Sequence, residues 1–473
     1  MPQRRSHVAP SAAQSELARA LATLRESLDA PTEFSPEALS EASSAAPPAP
    51  ELDLRDIPFA TLDPVGSKDL DQAFHLARVG DGFEVRYAIA DVPAFVSPGG
   101  AVDAAARERG QTLYAADGRV PLHPPVLSED RASLLPDVDR PALVWTFALS
   151  HSGEVDDFRL ERALIRSRAQ LDYESTQKAL DAEEGSPASL LPVIGALRVA
   201  KERERGGASL NMPDEEVVQQ GDGTYSIERR SPLPVEEWNA QLSLMTGMAA
   251  ASLMVEAKVG VLRTMPEPDA EAFATFRRQT EALGRPWTSG EYGEYLRGLD
   301  RGDPLTLPVL QAAAALFRGA GYVTFDGSVP DDIEQAAIAA PYAHATAPLR
   351  RLVDRWSLAI CLGISDGSGV PAWARESLAE LPELMQASGQ RASRLNADTI
   401  NRVEAALMHP LVGQTVEATV IEIRGDGERA GIQIADPAVT ASAPVPAGAK
   451  PGETVSLTVV RADIAKGELE FSL

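Results

Sequence analysis

Asp63, Asp69 and Asp71 fall within nine residues, in the segment Thr61-Leu62-Asp63-Pro64-Val65-Gly66-Ser67-Lys68-Asp69-Leu70-Asp71-Gln72-Ala73. Carboxylates this close repel one another, and each tends to take up a proton unless a cation neutralises the group. Hard oxygen ligands at short spacing suit Mg²⁺ or Mn²⁺, which are held by one or two carboxylates together with waters and substrate phosphate. In an extended segment Asp69 and Asp71 present their carboxylates to the same side. A turn at Pro64-Val65-Gly66 would bring Asp63 back to them. The competing reading is a solvated acidic loop. A calcium EF-hand is disfavoured because its loop glycine and closing glutamate are missing, and no Gly-x-x-x-x-Gly-Lys-Ser/Thr loop occurs near a strand. The cluster points towards metal-assisted phosphodiester chemistry.

A second group lies at Tyr342-Ala343-His344-Ala345-Thr346-Ala347-Pro348-Leu349-Arg350-Arg351-Leu352-Val353-Asp354-Arg355. Here Thr346 is expected to cap a helix with Pro348 in its first turn, which places free N–H groups and Arg350 near an anion. A guanidinium there can grip phosphate bidentately and stabilise charge developing in a transition state. The alternative is an Arg/Asp-rich surface helix. His344 reads as a structural hydrogen-bonder rather than a ligand.

The elements that must position these groups follow from the hydrophobic pattern. Phe83–Ala90 alternates as a strand, and Pro141–Leu149 is a buried-strand run. Helical signals dominate after Leu190, at Val235–Val259, Arg350–Leu362 and Pro382–Met408. Strands followed by helices give an α+β fold class. Leu17, Leu21, Leu24 and Leu28 recur at helical spacing near the N-terminus, and Ser35-Pro36 reads as the start of a second short helix. Ala45–Pro50 follows as an extended linker. Residues 1–50 are therefore read as a small helical N-terminal domain, with helix-turn-helix or a plain helical extension as the two options. The segment 51–408 is one large domain. Residues 411–473 hold short β-rich runs separated by turns at Gly425-Asp426-Gly427 and Pro451-Gly452, the size of a small OB-fold β-barrel. Phe471 is the only aromatic there, so the barrel is poorly equipped with stacking platforms.

With 473 residues the chain has room for a large core and one or two accessory domains. Its net charge of −25 argues against binding nucleic acid through a broad basic surface, but not against basic groups confined to one channel. The lone cysteine, Cys361, excludes a disulfide framework and fits a cytoplasmic location. No apolar h-region follows the basic start, which argues against a signal peptide, and no apolar stretch is long enough to span a bilayer.

Five motifs in order carry a resemblance: Thr61–Ala73, Tyr87–Val92, Gln111–Pro125, Leu127–Leu135 with Asp139-Arg140-Pro141, and Tyr342–Arg355. Together they resemble the ribonuclease II/ribonuclease R (RNB) family of 3′→5′ exoribonucleases, and the C-terminal segment resembles the RNA-binding OB domain of such chains. The family's paired N-terminal cold-shock domains have no room in residues 1–50. The resemblance implies that Asp63, Asp69 and Asp71 hold Mg²⁺ (or Mn²⁺) against the scissile phosphate, Asp71 being most directly tied to catalysis. It implies that Tyr114 stacks on the 3′-terminal base, a core tyrosine being the alternative, and that Arg350 stabilises the cleaved phosphate. The family pattern runs Asp-x-Asp-Asp, whereas Gln72 stands at the fourth position, removing one negative charge and putting the metal count in doubt. Glu236 and Glu237 are left without a role. The implied activity is processive, single-strand-specific hydrolysis of RNA to nucleoside 5′-monophosphates by metal-assisted in-line attack. An RNA-binding protein of the same fold with weakened turnover is the alternative. The implied partner is single-stranded RNA, with no membrane association and a monomeric state expected.

Overall fold

In the computed structural model all residues are described except 1–4, 8–11, 28–30, 48–49, 117, 209–213, 220–224, 301–305, 315, 317, 425–426, 436 and 438. The anticipated turn residues Gly425 and Asp426, and Pro48 and Ala49 of the linker, lie outside the described residues.

At the centre is a sheet built from Leu52–Asp53, Phe59–Asp63, Gln72–Val79, Gly82–Ala90, Asp139–Leu149 and the 18-residue strand Val155–Asp172. Val155–Asp172 pairs antiparallel with Asp139–Leu149 and, nearer its C-terminal end, parallel with Phe59–Asp63, so the sheet closes on itself. Closure explains why residues 142–147 are buried throughout and apolar apart from Thr146: both faces are covered. Phe83, Val85, Tyr87 and Ile89 share one core with Leu143, Trp145 and Phe147. The intervening Ala88, Ala90, Ala142 and Val144 belong to another, built of smaller residues. Against the large-residue face pack helices Pro234–Ala257 and Leu352–Ser365; the second is buried from Leu352 to Gly363, Cys361 included.

The 28-residue helix Leu381–Met408 joins this body to the C-terminal barrel. That barrel has five antiparallel strands in the order Val439–Pro444, Arg429–Ile434, Thr415–Arg424, Thr454–Asp463, Glu468–Ser472. A bulge between Val420 and Glu422 bends its central strand, and the two outer strands approach one another, which nearly closes the sheet. The strand Val439–Pro444 is absent from the sequence reading because Ala, Ser and Pro give it almost no β signal.

Residues near the N-terminus supply strand Arg5–His7 and helices Ala12–Glu26 and Pro36–Ser44. The second helix starts as expected, with Ser35 Oγ accepting from Ala38 N–H and Pro36 in the first turn. The two helices dock mainly on different neighbours, the first on Leu381–Met408 and the second on Ala101–Arg109.

Candidate active site

The acidic segment runs between the end of strand Phe59–Asp63 and the start of strand Gln72–Val79. Its turn is real: Ser67 N–H donates to the Pro64 carbonyl at 3.1 Å, and Gly66 has φ of 83°, the left-handed residue that a type II turn requires. Ser133 pins the rest. Its hydroxyl donates to the Lys68 carbonyl (2.6 Å) and accepts from Leu70 N–H (2.9 Å), while Leu134 N–H donates to the Leu70 carbonyl (3.0 Å). These bonds fix a backbone that belongs to no sheet ladder, so the aspartates sit on a rigid frame.

The anticipated helix cap at Thr346 is corrected. The helix begins at Leu352, and Pro348–Arg350 form a turn before it. The N–H groups that a cap would have satisfied are taken by distant carboxylates: Ala347 N–H donates to Asp354 Oδ1 and Leu349 N–H to Asp71 Oδ1, each at 2.7 Å. Asp354 also accepts two bonds from Arg351. The expected anion near these N–H groups is thus supplied by the chain itself, as Asp71. His344 behaves as a structural hydrogen-bonder, its Nδ1 2.7 Å from the Tyr322 hydroxyl.

Tyr114 arrives on the hairpin Leu113–Ala115/Gly118–Val120, directly opposite Arg119 in register. Thr112 N–H donates to the Arg350 carbonyl and Leu352 N–H to the Gly110 carbonyl, which ties this hairpin to the arginine turn. The result is one cavity of about 630 Å³ lined by Asp63, Asp69, Asp71, Gln72, Tyr114 and Arg350, all six residues singled out in the sequence. Tyr114 is 56 % exposed within it, so the core-tyrosine alternative is excluded.

The charges differ in what they do. Asp71 is buried; its Oδ2 has no hydrogen bond, although Arg350 Nε stands 3.3 Å away. Desolvation lifts Asp71 to about 8, against the opposing pull of Arg350 and the Leu349 N–H. Asp63 Oδ2 is likewise buried without a hydrogen bond, and desolvation lifts this carboxyl to about 7, with Asp69 adding to the rise and Arg350 opposing it. Asp69 is different. Arg119 Nη1 donates to its Oδ1 at 2.8 Å, and the Tyr114 hydroxyl stands 3.4 Å from its Oδ2. Arg119 also pairs with Glu129 at 2.6 Å. Gln72 donates its amide N–H to the Thr346 carbonyl, a bond that a carboxylate at this position could not make.

No group of three His, Cys, Asp or Glu side chains among the described residues is arranged to enclose a metal. The donor set nevertheless fits Mg²⁺, which binds through one or two carboxylates and leaves its other positions to water and phosphate. Half-buried Asp63 and buried Asp71, each with a buried oxygen that accepts no hydrogen bond, are that set; Asp69, whose Oδ1 is held by Arg119, stands beside them.

Three further contributors carried no sequence signal strong enough to single them out. Arg119 is visible only through its pairing with Tyr114. Tyr173 and Asn396 line the cavity from segments about 100 and 325 residues beyond Asp71, in chain positions set by topology alone. Glu236, left without a role, pairs with Arg230 and accepts from Leu233 N–H at the start of its helix, a structural task.

The RNB domain model matches residues 51–357, and the model of the RNase II-type exonuclease C-terminal S1 domain matches residues 414–473. Ribonuclease R of Escherichia coli is 25% identical over 409 residues, covering 80% of this chain and 49% of its own. The probable exosome complex exonuclease RRP44 of Caenorhabditis elegans is 29% identical over 332 residues, 65% of this chain and 34% of its own. The chain thus spans about half the length, or less, of these curated relatives. Among solved structures, Mycoplasma genitalium RNase R in complex with ribose-methylated single-stranded RNA superposes with a TM-score of 0.85 at 16% identity, covering 97% of this chain and 78% of that one. Yeast Ssd1, a pseudonuclease, superposes at 0.68 with 17% identity, covering 91% and 55%. The chain belongs to the RNB domain family, with a C-terminal S1 domain of the RNase II exonuclease type.

Proposed function

We propose that this chain is a processive 3′→5′ exoribonuclease, specific for single-stranded RNA, that releases nucleoside 5′-monophosphates as a cytoplasmic monomer. The observation that carries the reading is the convergence of Asp63, Asp71, Arg350 and Tyr114 on one cavity of an RNB domain. Asp63 and Asp71 would hold Mg²⁺ or Mn²⁺, which when bound neutralises phosphate charge and makes water a competent nucleophile at neutral pH. The chain's own residues do the rest. Tyr114 offers an exposed ring on which the terminal base stacks. Arg350, held beside Asp71, neutralises charge that builds on the phosphate during in-line displacement. The Leu349 N–H fixes Asp71 Oδ1, so that Oδ2, which accepts no hydrogen bond and lies beside Arg350, would be the oxygen available to the metal.

A second reading, an RNA-binding protein of the same fold with lost turnover, is favoured by Gln72 and by the likeness to a pseudonuclease. Gln72 weighs less than it did in the sequence, because its amide is engaged with Thr346 and two carboxylates remain for the metal. Incubation of 5′-labelled single-stranded RNA with Mg²⁺ decides between them. Shortening from the 3′ end with mononucleotide release supports the nuclease, and intact RNA under every divalent metal refutes it. An oligonucleotide ending in deoxyriboses tests specificity, since an RNA-specific enzyme stalls there.

A further inference from the structure

Residues 1–50 precede the segments matched by both domain models, and the chemistry above uses none of them. Helix Ala12–Glu26 nonetheless reaches the site. It lies along Leu381–Met408, and its leucines part company. Leu17 and Leu21 enter the core of the C-terminal barrel. Leu24, one turn further on, packs instead with Leu113, Val120 and Leu395. Leu113 and Val120 are paired partners in the hairpin that carries Tyr114. Arg25 extends the contact: its Nη1 lies 3.3 Å from where a β-carbon on Gly118 would stand.

Successive residues of a strand face opposite sides. Leu113 and Val120 therefore sit on the underside of the hairpin when Tyr114 and Arg119 face the cavity. A ribbon with three residues in each strand has no stability of its own. What lies beneath it fixes where the tyrosine ring stands.

We propose that helix Ala12–Glu26 is a positioning element of the active site, with Leu24 acting through the hairpin to hold the Tyr114 ring where the terminal nucleotide stacks. The substrate in this proposal rests on the exoribonuclease reading. The helix, which lies outside both matched segments, thereby supports the hairpin from beneath.

The test compares wild type with Leu24→Ala, Leu24→Val, Leu17→Ala, Tyr114→Ala and the Leu24→Ala/Tyr114→Ala double variant. Steady-state cleavage of single-stranded RNA with Mg²⁺ gives kcat and KM, and fluorescence anisotropy in EDTA gives RNA affinity without turnover. Leu24→Ala should raise KM about fivefold or more, up to the loss seen in Tyr114→Ala, with kcat changed by less than about twofold. Leu24→Val should move KM in the same direction by less. Leu17→Ala, on the same helix but in the barrel core, should lower thermal stability and leave KM alone. The double variant should bind no worse than Tyr114→Ala, because the two residues act in series. Unchanged KM and affinity in a folded Leu24→Ala protein, or additive losses in the double variant, would overturn the proposal. If Leu24→Ala fails to fold, Leu24→Val decides, and wild-type values in it count against the proposal. Absence of cleavage in wild type would sink the exoribonuclease reading, whereas the anisotropy series still reads the coupling of Leu24 to Tyr114.

Discussion

At the residue scale, Asp63 and Asp71 each keep a buried carboxylate oxygen that accepts no hydrogen bond. Burial lifts them to about 7 and about 8, whereas in an unfolded chain both titrate near 4. The folded state therefore holds more protons than the unfolded one, and stability falls as pH rises through that window. His75, His123 and His344 are depressed by burial and work the other way, but their contribution is mostly made by about pH 6.5 and complete about one unit higher, so the two carboxyls dominate above it. Metal-free protein should thus show a lower urea midpoint at pH 8.5 than at pH 6.5, and Asp71→Asn should flatten the slope. Mn²⁺ binding, followed by its paramagnetic resonance, should tighten over the same range, because each bound ion displaces protons. A midpoint that rises with pH in wild type contradicts the assignment. Gln72 is the second residue at stake. Gln72→Asp replaces a donor to the Thr346 carbonyl with a repelled acceptor beside Asp71, and should cost about 1–3 kcal/mol in denaturant unfolding without metal. The three aspartates and their turn were legible in the sequence because a type II turn needs its glycine and a metal needs its carboxylates. Arg119 was not, since its importance lies in standing opposite Tyr114, and register is a property of two strands.

At the scale of elements, the site is a strand end, a hairpin and a turn held together by backbone bonds. The sequence placed the helix of the arginine motif too early for a physical reason. Thr346 and Pro348 look like a local cap, yet Asp71 and Asp354 satisfy the free N–H groups from elsewhere, and the turn is drawn out of the helix. Asp354 is wholly buried, and Arg351 depends on it. Asp354→Ala should cost about 3–5 kcal/mol, since it leaves a largely buried guanidinium and an amide without partners. Thermal unfolding reads the loss, and retention of wild-type stability would show that the turn does not rely on this carboxylate. Strands and helices with strong periodicity were found in the sequence to within a few residues. Val439–Pro444 was missed because sheet neighbours, not its own residues, make it a strand.

At the scale of the whole molecule, the tension between a charge of −25 and the proposed RNA substrate resolves into locality. Arg119 and Arg350 are the arginines lining the cavity, and each already has a carboxylate partner. Few counterions are then released on binding, so the slope of log affinity against log salt should be shallow, on the order of −1.5 for single-stranded RNA. A slope steeper than about −4 would require a basic track outside the cavity. The change from a mixed helix-and-strand body to a small C-terminal β-barrel was readable in the pattern of β-rich runs. The docking of the N-terminal helix was not, because its leucines have the same helical spacing whether they face solvent, the barrel or the hairpin.

The most direct test is the product pattern of 5′-labelled single-stranded RNA incubated with Mg²⁺ and either wild type or Asp71→Asn. Removing the buried carboxylate should slow cleavage by about a hundredfold or more. The account predicts a ladder shortening from the 3′ end to a short limit product, with nucleoside 5′-monophosphates released by wild type and almost none by Asp71→Asn. Intact RNA with both proteins, or equal rates from both, would contradict it.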